Sequence, residues 1–256
     1  MSVSDWHLPD GTALQLAQEV PVALVYDGVA QAVMMASPAD LEDFALGFAL
    51  SEGLISDPAE ITRQEIAEQE AGIEARSWLS APAGARFAER RRATIGPVGC
   101  GLCGIEQLEQ ARRVLPRLDP PDWRLEPEDA ANVLEALRDQ QPLQDATRAA
   151  HASAFWQPGR GIVALREDVG RHNALDKLMG ALARAGIAGG SGALVMTSRL
   201  SVDLIQKAAT CRIPVIVGPS APTALAVREA QAAGITLIAR AGRGLSVYTQ
   251  PQEAPV

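Results

Sequence analysis

Apolar and polar positions alternate in part along Glu19 to Asp27 and again along Val29 to Ala36, with Asp27-Gly28 between them. Both turn residues tolerate positive φ, so the pattern predicts a β-hairpin. From Leu41 the period changes. Leu41, Phe44, Ala45 and Phe48 make one apolar helix face ending near Gly53, with Ser37-Pro38 expected as its cap and first turn. Between Ile61 and Arg92 the signal weakens, and short strands are expected around Ile73 to Leu79 and Arg86 to Ile95. A helix is expected from Ile105 to Leu115, then a proline-rich junction from Pro116 to Pro121, then a helix from Pro127 through Leu137.

Beyond the junction, β-branched runs alternate with amphipathic stretches. Strands are expected at Gly161 to Arg166, Ala193 to Met196, Pro214 to Val217 and Thr236 to Ala239, with helices at Asn173 to Arg184, Ser201 to Thr210 and Pro222 to Ala233 between them. That succession predicts a mostly parallel sheet flanked by helices. The chain therefore reads as α/β, with a smaller α+β domain over residues 1–121 and a second domain over residues 122–256.

Composition narrows the partners. At 256 residues and 47% hydrophobic content the chain can bury a substantial core, and its net charge of −8 offers no general attraction to a nucleic acid. No apolar run approaches the roughly 20 residues that cross a bilayer, and Met1 to Asp10 lack a basic-then-apolar leader, so no membrane role and a cytoplasmic location are expected. Three cysteines are too few for a disulfide scaffold and suit a reducing compartment.

In an open parallel sheet the loops that leave the carboxyl ends of the strands share one edge, where ligands bind. Those loops here carry Glu167, Asp168, Gly170, Arg171, His172 and Asn173; then Ser198, Arg199 and Ser201; then Gly218, Pro219 and Ser220; then Arg240, Gly242 and Arg243. Guanidinium groups and helix N-termini would converge there and hold phosphates in an otherwise acidic protein. One such residue alone would read as a helix cap; the four loops together read as a binding site. Asp176, Lys177 and Lys207 fall inside helices and read either as a solvated face or as part of the site.

Cys100-Gly101-Leu102-Cys103 lies among Gly96, Gly99 and Gly104, just before the expected helix at Ile105. Glycines let a backbone approach a ligand, and a helix N-terminus favours the thiolate. Structural zinc needs four ligands, and Cys211, His7, His151 and His172 are not spaced to complete a set, so no metal site is expected. A thioredoxin-like dithiol and persulfide transfer both remain open. Cys211 reads as core; His172 reads as an acid/base group, a phosphate contact or a cap; His151 reads as packed or facing the site.

The string Glu167-Asp168-Val169-Gly170-Arg171-His172-Asn173-Ala174-Leu175-Asp176-Lys177 resembles the signature of the formate dehydrogenase accessory sulfurtransferases. The likeness extends to Leu46-Gly47-Phe48, Ser51-Glu52-Gly53, the CGLCG motif, Thr197-Ser198-Arg199-Leu200-Ser201, Gln206-Lys207-Ala208 and Val247-Tyr248-Thr249. It implies a protein that takes sulfur from a cysteine desulfurase and passes it to the molybdenum bis(molybdopterin guanine dinucleotide) cofactor before formate dehydrogenase receives it, with a guanine nucleotide as a partial mimic. Cys100 would be the persulfide carrier, Cys103 its helper, and Ile238, Ala239, Arg240, Ala241, Gly242 and Arg243 a cofactor-contacting stretch beside Gly170, Arg171, His172, Asn173, Ser198, Arg199, Ser201 and Lys207. A homodimer and a three-layer α/β/α, cytidine deaminase-like second domain are also implied. Asp203 stands where the family usually carries Glu, and Gly242 to Ser246 depart from its usual Arg-Phe-Asn-rich ending. Deamination is not implied, since the His-x-Glu and Pro-Cys-x-x-Cys of the zinc deaminases are missing. A cofactor chaperone without sulfur chemistry is the alternative from another class.

Overall fold

The computed structural model describes residues 2–94 and 114–251. Cys100 and Cys103 lie outside them, as does the expected helix from Ile105 apart from Val114 and Leu115, which are not helical.

The chain opens with a hairpin of β1 (Val3–His7) and β2 (Ala13–Ala17), then β3 (Val20–Tyr26) and β4 (Val29–Ala36). Asp27 and Gly28 turn the second hairpin at φ 46° and 77°, as the dipeptide predicts. α1 (Leu41–Ser51) follows, then β5 (Ile61–Gln69), β6 (Gly72–Leu79) and α2 (Ala81–Thr94). The sheet order is β4-β3-β6-β5, with β3 and β6 parallel. Phe44 and Phe48 of α1 and Phe87 of α2 close one face of this sheet over Leu24 and Tyr26. The Tyr26 hydroxyl donates to the Ala45 carbonyl at 2.6 Å, so a large ring is buried without an orphaned polar end.

Two expectations fail in this half. Arg86 to Ile95 does not form a strand; through Thr94 it belongs to α2, where alanines, glutamate and arginines are good helix formers. Ser37 does not cap α1 either: the N-cap is Asp40, left-handed at φ 54° and making no side-chain cap bond.

Leu115 and Leu118 pack against the core of the second half, and the Leu118 N–H donates to the Ala233 carbonyl at 2.8 Å. Next come α3 (Pro127–Arg138), α4 (Pro142–Thr147), β7 (His151–Gln157), β8 (Gly161–Asp168), α5 (Arg171–Arg184) and β9 (Ala193–Met196). The chain continues through α6 (Val202–Thr210), β10 (Val215–Gly218), α7 (Ala224–Ala233), β11 (Thr236–Ala241) and β12 (Gly244–Thr249).

The six strands lie in the order β12-β11-β10-β9-β7-β8. β9, β10 and β11 pair in parallel, and β7 runs antiparallel between β9 and β8. The sheet is therefore mixed, but β8, β9, β10 and β11 all point one way, so their carboxyl ends share an edge. α5, α6 and α7 cover one face over Leu194, Met196, Ile216 and Leu237; α3 covers the other over Ala154, Val195, Val217 and Ile238. These are three α/β/α layers. Central strands buried on both faces explain the unbroken apolar runs Ala193–Met196 and Val215–Val217. Among the described residues no helix is long and apolar enough to cross a membrane.

The two halves meet where α1 crosses α5. A methyl group at Gly47 would collide with the Asp176 carbonyl, and one at Gly180 with the Asp43 carbonyl. Only glycine lets these backbones come so close.

Candidate functional site at the strand-end edge

The segment Glu167 to Lys177 spans the end of β8, a short loop and the start of α5. Most of its polar side chains are consumed within the protein. Asp168 is fully buried: Oδ1 accepts the Gly170 N–H at 2.8 Å and the Asn173 amide at 2.9 Å, while Oδ2 accepts the Ser37 N–H at 3.0 Å and pairs with Lys177 Nζ at 2.6 Å. Lys177 also donates to the Ser37 carbonyl at 2.9 Å, and Asn173 to the Met35 carbonyl at 2.8 Å. The Val169 N–H reaches Ser37 Oγ at 3.2 Å. The segment thus clasps the end of β4, and Ser37 serves this junction and not a helix cap.

A second buried cluster lies deeper along α5. Lys207 Nζ sits 2.8 Å from both carboxylate oxygens of Asp176, 2.9 Å from Ser51 Oγ and 2.9 Å from Glu52 Oε1. Burial alone would lower this ammonium, but the Asp176 and Glu52 carboxylates outweigh it and hold it above its ordinary value. Asp176, Lys177 and Lys207 therefore form no solvated face, and Lys207 lies at the junction of α1, α5 and α6, near enough for its charge to act on His172. A buried charge must be paired: Asp168 pairs with Lys177 and Asp176 with Lys207 within the second half, and Ser37, Ser51 and Glu52 tie both pairs to the first half.

Arg171 and His172 remain. They begin α5 behind Gly170, an N-cap with no side-chain acceptor. Arg171 Nε and His172 Nε2 are buried and have no hydrogen-bond partner, although His172 Nε2 stands 3.7 Å from Asp203 Oδ2 at the start of α6. Such orphaned donors or acceptors cost about 1–3 kcal/mol each unless a ligand or water meets them. Burial, then the neighbouring Arg171 guanidinium, lowers the His172 imidazole below its ordinary value; the same two causes lower His151, at the start of β7. One cation whose charge acts on both imidazoles, beside a helix N-terminus, is suited to an anion.

The other loops contribute unequally. Ser198 is buried and donates to the Arg199 carbonyl at 3.1 Å, while Arg199 is exposed. Ser201 caps α6 by position only, its hydroxyl donating to Asp203 Oδ2 at 3.4 Å. Arg240 Nε donates to the Pro219 carbonyl at 3.3 Å and its Nη1 to the Arg243 carbonyl at 3.2 Å, which ties the β11–β12 turn to the loop after β10. Gly242 makes that turn at φ 59°. Ile238 and Ala239 are fully buried, one in each core, so of Ile238 to Arg243 only Arg240, Ala241, Gly242 and Arg243 can offer side chains or open backbone to a ligand. Cys211 ends α6 at the opposite, amino-end side of the sheet, beside a cavity of about 700 Å³; burial pushes its thiol up to about 12, which keeps it an unreactive thiol.

Sequence reasoning missed Gln144, Arg138 and Arg148, which gather with the expected Glu167 on the α3 side of the same edge around His151. The only trace in the sequence is the position of Arg148, three residues ahead of a strand too rich in small residues to be anticipated.

Known proteins resemble this chain along nearly all of it. The sulfur carrier protein FdhD of Agrobacterium fabrum is 49% identical over 234 residues, covering 91% of this chain and 86% of that protein. That of Cupriavidus necator is 46% identical over 244 residues, covering 93% and 83%. A crystal structure from Desulfotalea psychrophila, assigned as a formate dehydrogenase accessory protein, superposes with a TM-score of 0.66 at 26% identity, covering 97% of this chain and 96% of that one. The FdhD/NarQ family model matches residues 17–254, and the chain belongs to that family.

Proposed function

We propose that this chain is a sulfurtransferase that carries sulfur as a persulfide on Cys100 and delivers it to a molybdenum bis(molybdopterin guanine dinucleotide) held at the strand-end edge, in the service of formate dehydrogenase. The sulfur half of this reading is supported by relatives named as sulfur carrier proteins. The binding half is carried by one observation, the orphaned Arg171 Nε and His172 Nε2 at the start of α5.

The Cys100 thiolate attacks the outer sulfur of a desulfurase persulfide, taking the sulfane sulfur and releasing the desulfurase thiolate. The Cys103 thiolate then attacks the inner sulfur of Cys100–S–SH. A Cys100–Cys103 disulfide forms and hydrosulfide leaves as a ligand for the cargo's metal. A cellular dithiol restores both thiols by supplying two electrons. Arg171, His172, Arg240 and Arg243 hold the phosphates of the cargo, and a second copy of the chain completes the working unit.

Mass spectrometry of the chain after incubation with a cysteine desulfurase and cysteine tests the carrier step. One added sulfur on Cys100 is expected, and its absence defeats the reading. Cys100→Ala should abolish activation of formate dehydrogenase; full activation by that variant would mean a chaperone that holds cargo without sulfur chemistry.

A further inference from the structure

On the α3 side the strand-end edge opens into a recess of about 620 Å³, lined among others by Arg138, Gln144, Arg148, His151, Thr197 and Pro219. That volume falls in the range of small-ligand pockets. The recess is built from parts fixed by specific bonds. Glu167, near the end of β8, accepts the N–H groups of Leu143 and Gln144 at 2.8 and 2.9 Å, so its carboxylate ties the first turn of α4 to the sheet. At the other end of α4, Arg148 is left-handed at φ 58°, and its N–H closes on the Gln144 carbonyl at 2.7 Å. Gln144 Oε1 accepts the Ala150 N–H at 3.0 Å, holding the chain as it enters β7 at His151.

Of the residues that line the recess, Arg138 and Arg148 meet one carboxylate, Asp145, which lies 3.4 Å from Arg148, while the Glu167 carboxylate behind α4 accepts two backbone N–H groups. Thr197 Oγ1, on the floor, already accepts the Ala152 N–H at 2.9 Å. His151 links the recess to Arg171, whose charge acts on its imidazole. Two guanidinium groups and a carboxamide donor beside an imidazole outnumber what one carboxylate would engage, and they match the several oxygens of a phosphate.

We propose that this recess is a subsite for a phosphoryl or pyrophosphoryl group and that, given the sulfur-carrier reading above, it takes a phosphorylated end of the cargo. The signature segment supplies Val169 to its lining and Glu167 behind α4, but the arginines come from α3 and the end of α4, outside that segment.

Inorganic pyrophosphate, titrated calorimetrically into the intact chain at low salt, tests this with the double variant Arg138→Gln, Arg148→Asn. Both positions are exposed, and asparagine tolerates the left-handed backbone at residue 148. The dissociation constant should rise roughly ten-fold or more, with a shallower dependence on salt. An unchanged constant, or no binding by the unaltered chain, overturns the subsite. Persulfide loading of Cys100, measured on the same samples, separates the two readings. A variant that loads sulfur while binding pyrophosphate as before keeps the carrier and loses the recess. A chain that binds pyrophosphate through these arginines but never loads sulfur keeps the anion site and loses its assignment to the cargo.

Discussion

Arg171 and His172 differ from the rest of their segment in having buried nitrogens that nothing in the protein satisfies, whereas Asp168, Asn173 and Lys177 are fully engaged. Arg171→Ala should therefore weaken binding of a guanine nucleotide roughly ten-fold in calorimetry, since it removes a charged donor from the edge. An unchanged affinity would assign these loops a purely structural role. The two histidines add a pH signature. Burial and Arg171 lower both, so the unfolded chain binds more protons than the folded one below about pH 6.5. Stability is fully present above that pH and declines as the pH falls through the lowered folded values. Denaturant midpoints measured from pH 7.5 downward should show this fall, and the His151→Gln, His172→Gln double variant should flatten it.

Among the helices, α5 has two duties: its first turn carries Arg171 and His172, and its middle crosses α1 at Gly180 against Asp43, with Gly47 against Asp176. Gly47→Ala should destabilise the protein by about 1–3 kcal/mol or more, because its methyl meets backbone that cannot turn aside. Chemical denaturation would show it, and a stability equal to the unaltered chain would mean the helices can separate without cost. How far such features can be read from sequence depends on burial. The strands β9, β10 and β11 are readable because apolar runs between helical stretches have one good interpretation. β7 was missed because His151-Ala-Ser-Ala-Phe carries no alternation: Ala152, Ser153 and Ala154 are all buried. β5 was missed because its charged residues lie on a half-exposed sheet, where Glu65 pairs with Arg63 along the strand and with Arg76 of the neighbouring β6. The position of Arg171 and His172 at a strand end was readable. The burial of Asp176, Lys177 and Lys207 was not, since a charge in a helix looks the same in sequence whether water or another helix covers it.

Taken as a unit, the two halves are held together by buried ion pairs of the second half whose remaining hydrogen bonds reach into the first. Asp168 and Lys177 are both wholly inaccessible, and the Lys207 cluster draws its acceptors from α1, α5 and the residue after α1. Lys177→Met would leave Asp168 charged and unpaired, and should lower stability by about 3–5 kcal/mol. Thermal unfolding of the unaltered chain should be one transition followed alike by probes in either half; two separated transitions would show that the clasp is weak.

The interlock also shapes how variants of this protein will score. In a saturation screen that records only the output of a dependent enzyme, Ser37, Gly47 and Lys177 would fail alongside Arg171, though the first three only maintain the geometry that presents the fourth. Recording soluble abundance for each variant in parallel would sort scaffold from contact, with Arg171 distinguished as the position where protein persists and output vanishes.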